Sequence, residues 1–202
     1  MSPEIRQIKA GRRAIGITAA AFVALLCLSV VVVLWWRQSA LAHEQAHAAL
    51  QVESMSFANG KAIPEQYTCD SANDSPNLQW RNAPPATKGF ALVMSDPDAL
   101  IDFTHWLAYN IPPNVRELAE GASTHGAMPA GSAEGINSFG RPGYGGPCPP
   151  PGKPHHYVFR LYALDAQLDL PPGATRVQVE STMNQHVLAE GRIIGIYERR
   201  SE

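Results

Sequence analysis

The sequence lacks three features that would assign it to a common functional class. It has no internal repeat, so its 202 residues indicate one domain with an appendage. It has no excess of positive charge, because residues 38–202 hold 11 Lys and Arg against 17 Asp and Glu, a net charge of −6. This balance argues against nucleic acid as a partner. It has no G-x-S-x-G motif, so a serine hydrolase is disfavoured.

Charge is also absent from a run of 23 residues, Ala14 to Trp36. At about 1.5 Å of rise per residue, a helix of this length crosses a bilayer core, and its final Trp pair suits the membrane interface. Four basic residues precede the run and only Arg37 follows it closely; the four are Arg6, Lys9, Arg12 and Arg13. The positive-inside rule therefore predicts a cytoplasmic N-terminus at 1–13, a transmembrane helix at 14–36 and an exported remainder.

The apolar run could be a signal peptide that is cleaved or a membrane anchor that is retained. Ala40-Leu41-Ala42 has the small-x-small form of a signal cleavage site, which would give a secreted protein. The apolar run exceeds the 7–15 residues usual for a signal peptide, so an uncleaved anchor is preferred. Residues 37–51 predict a helical stalk, and residues 52–202 predict the folded domain, which would then lie in the periplasm or outside the cell.

The domain is expected to be mainly β. Short apolar runs bounded by Pro and Gly predict strands at 90–94, 105–111, 157–164 and 192–197. One helix is expected near the C-terminus, from Thr175 to Glu190, because Val179, Met183 and Val187 recur at helical spacing and Gly191 can end it.

One motif with the form of a zinc site is set aside. His43-Glu44-Gln45-Ala46-His47 fits H-E-x-x-H, which on a helix places two imidazoles on one face. It stands in an Ala-rich stalk beside the apolar run, whereas a zinc protease needs a cleft and a third protein ligand. No metal site and no cofactor are therefore expected.

Two clusters of polar residues could form a binding site. Asp96 and Asp98 follow an apolar strand, and His105 opens the next one, so a carboxylate could orient an imidazole; a simple Asx-turn is the alternative. Further along, His155 and Tyr157 share one face of a strand and His156 points away.

Residues 140–154, with five Gly and six Pro, directly precede that strand. They could be a disordered linker, but their position inside the domain favours an ordered loop. Gly145 and Gly146 could offer backbone N–H groups beside the imidazole and the phenol. Such converging donors make an anion pocket without Lys or Arg.

Together these segments resemble the phosphatidylethanolamine-binding protein (Raf kinase inhibitor-like) family, in its bacterial YbhB/YbcL-type branch. The family's D-P-D-A-P followed by His is similar to Asp96–Leu100 and His105 here, and its Gly/Pro loop leading into H-R-Y is similar to 144–150 and 155–157. Further matches occur in order at 67–70, 75–80, 110–112, 161–165, 186–189 and 195–197, so the resemblance spans about 55–199. Leu100 replaces the family's Pro, and His156 replaces its usual Arg.

The resemblance implies an antiparallel β-sandwich with one small cavity for phosphate, acetate or a phosphorylated headgroup. The residues carried over as ligand-binding are Asp96, Asp98, His105, Tyr144, Gly145, Gly146, Pro147, His155 and Tyr157. The expected function is non-enzymatic binding of such an anion, with the membrane contacted through the N-terminal helix. The alternative is a kinase- or protease-inhibitor-like module with an unidentified protein partner; a hydrolase is less expected.

The cysteines leave a choice open. Export permits a disulfide between Cys69 and Cys148, both in motif segments at one end of the fold, whereas two free thiols are the other possibility. Cys27 lies inside the apolar run and is not expected to be lipidated, because a bulky Leu26 precedes it.

Overall fold

The computed structural model describes residues 29–36 and 50–200. Residues 29–36 are helical with exposed side chains, and among the residues described no helix has the length and apolar character needed to span a bilayer. The cytoplasmic segment at 1–13, most of the apolar run and most of the stalk lie outside the described residues. The H-E-x-x-H sequence and Cys27 lie outside them as well.

The folded part from residue 50 onward is mainly β, as expected. It contains nine strands, one α-helix and a 3₁₀ turn at Glu65–Tyr67 within the described range. In chain order the elements are β1 (Gln51–Glu53), β2 (Lys61–Ala62), β3 (Leu78–Arg81), β4 (Gly89–Asp96), β5 (Phe103–Ile111), β6 (Glu117–Leu118), β7 (Ala133–Glu134), β8 (His155–Leu164), α1 (Arg176–Met183) and β9 (Val187–Tyr197).

Two sheets form the architecture. The smaller has the order β1-β3-β6 and the larger β2-β9-β8-β4-β5-β7. Every pair of named strands is antiparallel except β2 with β9. The central strands β4 and β5 are almost entirely buried, so their sequences are nearly continuous apolar runs, whereas β8 keeps an alternation of buried and partly exposed residues.

The larger sheet buries a separate core on each face. On β4, Phe90, Leu92 and Met94 join the core shared with the smaller sheet, whereas Ala91 and Val93 join the core beneath α1. This division follows from the two-residue period of a strand. Tyr157 and Phe159 on β8 belong to the first core, and this core reaches the end of the sheet where β4 stops and β8 begins.

The helix expected at 175–190 is shorter than predicted, and no helix follows it up to residue 200, where the described range ends. It begins after Thr175, whose side chain and that of Gln178 form a capping box, and ends at Met183. Val187 to Glu190 instead open β9 and pair with β8, Leu164 opposite Val187 and Tyr162 opposite Glu190. Val187 continued the helical spacing by chance, and its pairing with a strand more than 20 residues away outweighs that local preference.

Gly191 does not end the helix but lies within β9. A Cβ atom at this position would overlap the carbonyl oxygen of Leu50. Glycine is therefore required here because the chain entering the domain crosses β9 at close range.

Candidate anion-binding site

Asp96 connects the end of β4 to the beginning of β8. One carboxylate oxygen, Oδ1, accepts the backbone N–H of Asp98 at 2.9 Å, which is an Asx-turn. The other, Oδ2, accepts the Nδ1–H of His155 at 2.7 Å. Both side chains are largely buried, 14% exposed for His155 and 5% for Asp96. The pair fixes the tautomer of His155, so its Nε2 atom remains for another partner and can donate to it once the ring is protonated.

Asp98 does not join this cluster. Its Oδ2 accepts the backbone N–H and the Nδ1–H of His156, each at 2.7 Å, on the exposed side of the strand. These hydrogen bonds from His156 hold the pKa of the Asp98 carboxyl below its usual range. Asp98 therefore anchors the β4–β5 hairpin, and the ligand-binding role expected for it is not supported by its position. Leu100, at the tip of this hairpin, is fully exposed at 106% and lines no wall of the cluster.

His105 is buried beside the cluster and is held by the glycine loop. Its Nδ1–H donates to the carbonyl oxygen of Gly145 at 2.7 Å, and the N–H of Gly145 donates to the carbonyl oxygen of His105 at 2.9 Å. Burial lowers the pKa of His105, although the hydrogen bond to Gly145 opposes the shift. The ring is therefore neutral at neutral pH and its Nε2 is an acceptor, so His105 donates to an anion only after protonation in acid.

Tyr157 presents the most informative polar atom of the site. Its hydroxyl is buried, faces the backbone of Cys148 and forms no hydrogen bond of normal geometry with any described residue. Its ring stands edge-on to that of His105, with centroids 5.1 Å apart. Burial, reinforced by the negative charge of Asp96, raises the pKa of the phenol well above its usual value, so the hydroxyl stays protonated.

An unpaired buried hydroxyl is costly. Leaving such a donor unsatisfied costs about 1–3 kcal/mol, and few native groups are left this way without a water, an ion or a ligand. The Tyr157 hydroxyl is therefore a donor with no acceptor of normal geometry among the described residues.

The glycine amides do not supply further donors, contrary to expectation. The N–H of Gly145 is taken by His105, and the N–H of Gly146 donates to Oδ1 of Asn73 at 2.8 Å. Buried backbone N–H groups are nearly always paired within the protein, and these two follow that rule.

The two glycines are needed for close packing instead. A Cβ at Gly146 would overlap Oδ1 of Asn73 and the carbonyl oxygen of Tyr67, and a Cβ at Gly145 would lie 2.5 Å from the ring of Phe139. Their role is to let the loop pass close to its neighbours.

Tyr144 and Pro147 likewise hold the loop in place rather than facing a ligand. The Tyr144 hydroxyl donates to the carbonyl oxygen of Tyr67 at 2.6 Å, and the carbonyl oxygen of Pro147 accepts the N–H of Cys69 at 3.1 Å. The segment 67–73 is thus the support on which the loop rests.

A disulfide joins the same two segments. Cys69 and Cys148 are bonded, with Cα atoms 5.4 Å apart and a sequence separation of 79. Both residues are exposed. The bond and the hydrogen bonds described above place the glycine loop against segment 67–73 over its whole length from Tyr144 to Cys148.

Sequence reasoning missed Asn73 and an aromatic wall. Phe103 and Phe139 pack edge to face at 4.9 Å between centroids, and Phe139 also stands edge-on to His105 at 5.5 Å. Phe139, 45% exposed, borders the site on the solvent side. Neither phenylalanine belongs to a motif, and Asn73, which has a φ of 60°, gave no signal beyond its place in a polar turn.

Comparisons with known proteins identify the family to which the chain belongs. The family model described as "Phosphatidylethanolamine-binding protein" matches residues 53–198. A "UPF0098 protein" of Aquifex aeolicus is 50% identical over 155 residues, covering 75% of this chain and 90% of the relative. A Mycobacterium tuberculosis protein, LppC, whose name describes it as a lipoprotein, is 42% identical over 151 residues and covers 74% and 72% of the two chains.

A solved structure of the same family has a similar fold. The crystal structure of E. coli YbcL, described as a new member of the mammalian PEBP family, superposes with a TM-score of 0.71 at 34% identity. The match covers 76% of this chain and all of that one.

Proposed function

Because the chain belongs to the phosphatidylethanolamine-binding protein family, we propose that its folded domain acts by binding a small anion or a phosphorylated headgroup, without catalysing a reaction. The observation that carries the proposal is the buried, unpaired hydroxyl of Tyr157 beside His105. An oxygen of a phosphate, carboxylate or sulfate group accepts that hydrogen bond and removes the cost of the unpaired donor.

His155 provides the second donor. Asp96 holds its Nδ1–H at 2.7 Å, so protonation takes place at Nε2 and creates an N–H that can donate to the anion. Tyr157 lies two residues along the same strand face. Asp96 does not touch the anion, because two negative groups in contact repel; it orients and neutralises the imidazolium instead.

The surroundings explain why a small anion is favoured over an extended polyanion. The cluster of Asp96, His105, His155 and Tyr157 contains no Lys or Arg, and the exported part of the chain carries a net charge of −6. Long-range attraction is therefore weak, and binding depends on hydrogen bonds formed at short range.

Sulfate affinity should rise by about tenfold or more between pH 7.5 and 5.5, because each proton taken up on binding changes affinity by up to about tenfold per pH unit. The anion prefers the protonated imidazole, so affinity increases as pH falls. The pKa of His105 is lowered, so the part of this gain in affinity that comes from His105 should appear below the usual histidine pKa of about 6.5. That part should disappear in His105→Gln. Isothermal titration with sulfate, whose own charge is constant in this range, measures the effect.

A control for folding accompanies this titration. The folded-state pKa of His105 lies below its unfolded value, so protonation favours the unfolded chain and stability declines as pH falls below about 6.5. Circular dichroism must therefore show an intact fold at each pH. A sulfate affinity that stays constant while the fold is intact contradicts the assignment of histidine as the source of positive charge.

The proposed location of the domain is outside the cytoplasm, attached by an uncleaved apolar anchor at residues 14–36. Four basic residues precede that run, the folded domain holds a surface disulfide, and a relative is named as a lipoprotein. Alkaline phosphatase fused after Glu202 should be active, and a green fluorescent protein fusion at the same point exported through the Sec pathway should not fluoresce. The opposite pair of results contradicts this topology.

A further inference from the structure

The loop before β8 is hydrogen-bonded to segment 67–73 before Cys148 but not after it. From Tyr144 to Pro147 it is tied to segment 67–73 by hydrogen bonds of 2.6–3.1 Å. Within the described part of the chain, residues 149–154 make no hydrogen bond and no ion pair with the rest of the domain; four of the six are prolines, which have no N–H to donate. Between Pro147 and the start of β8, the disulfide is the covalent tie of this stretch to segment 67–73, and Pro149 is in addition buried against the domain.

The backbone of Cys148 adjoins the proposed anion site. The hydroxyl of Tyr157 faces the backbone of Cys148 and is buried, whereas Cys148 and Cys69 are both exposed. A reductant can therefore reach the sulfur atoms from solvent without unfolding the domain, as exposed disulfides permit.

We propose that the Cys69–Cys148 disulfide is a redox-sensitive latch on this site: when it is closed the backbone of Cys148 is held over Tyr157 and the anion binds, and when a dithiol reductant opens it the site loses affinity. The inference rests on the proposed function and adds a means of regulating the same site. The sequence alone left open whether the two cysteines are bonded, and it did not show that the stretch after Cys148 has no other polar tie.

The opening step balances with a dithiol as the reductant. One thiolate of the reductant attacks Sγ of either cysteine, the Sγ–Sγ bond breaks, and the released sulfur takes a proton. The second thiol of the reductant then displaces the first protein sulfur. Two electrons and two protons have moved to the protein, which holds two thiols, and the reductant holds a disulfide.

Opening weakens binding because residues 148–154 must then be ordered each time an anion binds. In the closed latch that ordering is already complete, so the site is preorganised. We expect sulfate to bind about tenfold more weakly to the reduced protein, and oxidation should restore the original affinity.

The test uses the full chain carrying Cys27→Ser, in detergent, so that Cys69 and Cys148 are the only cysteines present. Sulfate is titrated calorimetrically before dithiothreitol, after it, and after reoxidation, and circular dichroism checks the fold at each stage. A reversible loss of about tenfold supports the latch. Equal affinities in the oxidised and reduced forms overturn it while leaving the proposed function intact.

A second measurement keeps the latch testable if sulfate does not bind at all, a result that would overturn the proposed function. Hydrogen–deuterium exchange is followed at the amides of Cys69 and Gly146, which donate to Pro147 and Asn73 across the latch. Both should exchange several-fold faster in the reduced chain and in Cys69→Ser/Cys148→Ser. Unchanged exchange at both amides rules the latch out independently of any ligand.

Discussion

Replacing His155 by alanine is expected to weaken sulfate binding by about ten- to a hundredfold, since a charge-assisted hydrogen bond is worth roughly 1.5–3 kcal/mol. The change removes the imidazolium that donates to the anion. It also leaves Asp96, 5% exposed, without the partner that compensates its charge, so the carboxylate then repels the ligand. Isothermal titration calorimetry at pH 6 measures the loss.

Two matched histidines serve as controls for this substitution. His156 is the next residue on β8, but its ring points to the other side and pairs with Asp98 at 2.7 Å. His186 forms the same kind of pair with Asp165 at 2.8 Å, in the turn that precedes β9. His156→Ala and His186→Ala should each change sulfate affinity by less than about twofold. A loss in either variant equal to that of His155→Ala contradicts the assignment of roles.

Removal of the disulfide should lower the free energy of unfolding by about 3–4 kcal/mol, because the bond closes a long loop in the unfolded chain. The two cysteines are 79 residues apart, so reconnecting them restricts many unfolded conformations. Cys69→Ser/Cys148→Ser should accordingly show a lower midpoint in urea and a steeper slope, because the unfolded chain without the bond is less compact.

The matched control for stability is Cys27→Ser, which changes a cysteine outside the folded domain and should leave the midpoint where it was. A loss below about 1 kcal/mol in the double serine variant would mean that the bond does not constrain the unfolded chain as a closed loop. That outcome is independent of any ligand, so it separates the structural role of the bond from its proposed regulatory one.

Much of the fold could be predicted from local patterns. The central strands carry continuous apolar runs between Pro and Gly, which is how strands buried on both faces appear in a sequence. The end of the helix could not be predicted this way, because Val187 satisfies a helical period and a strand equally well. Only its pairing opposite Leu164 decides between them, and that contact is long-range in sequence.

The site was predictable in its composition but not in its contacts. The alternation of β8 correctly separates His155 from His156, and the carboxylate near the end of β4 does orient an imidazole. Which aspartate pairs with which histidine depends on how β4 and β8 end relative to each other. The glycine amides were misassigned because Asn73, more than 70 residues away, takes the N–H of Gly146.

The proposed function depends on an anion bound beside the hydroxyl of Tyr157. A crystal structure of the domain at residues 50–200 grown with selenate, whose selenium is located by anomalous scattering, tests for this anion. We expect an anomalous peak for a selenate with one oxygen about 2.5–2.8 Å from Oη of Tyr157 and another about 2.7–2.9 Å from Nε2 of His155. A peak elsewhere, with only water or an empty space beside Tyr157, would contradict it.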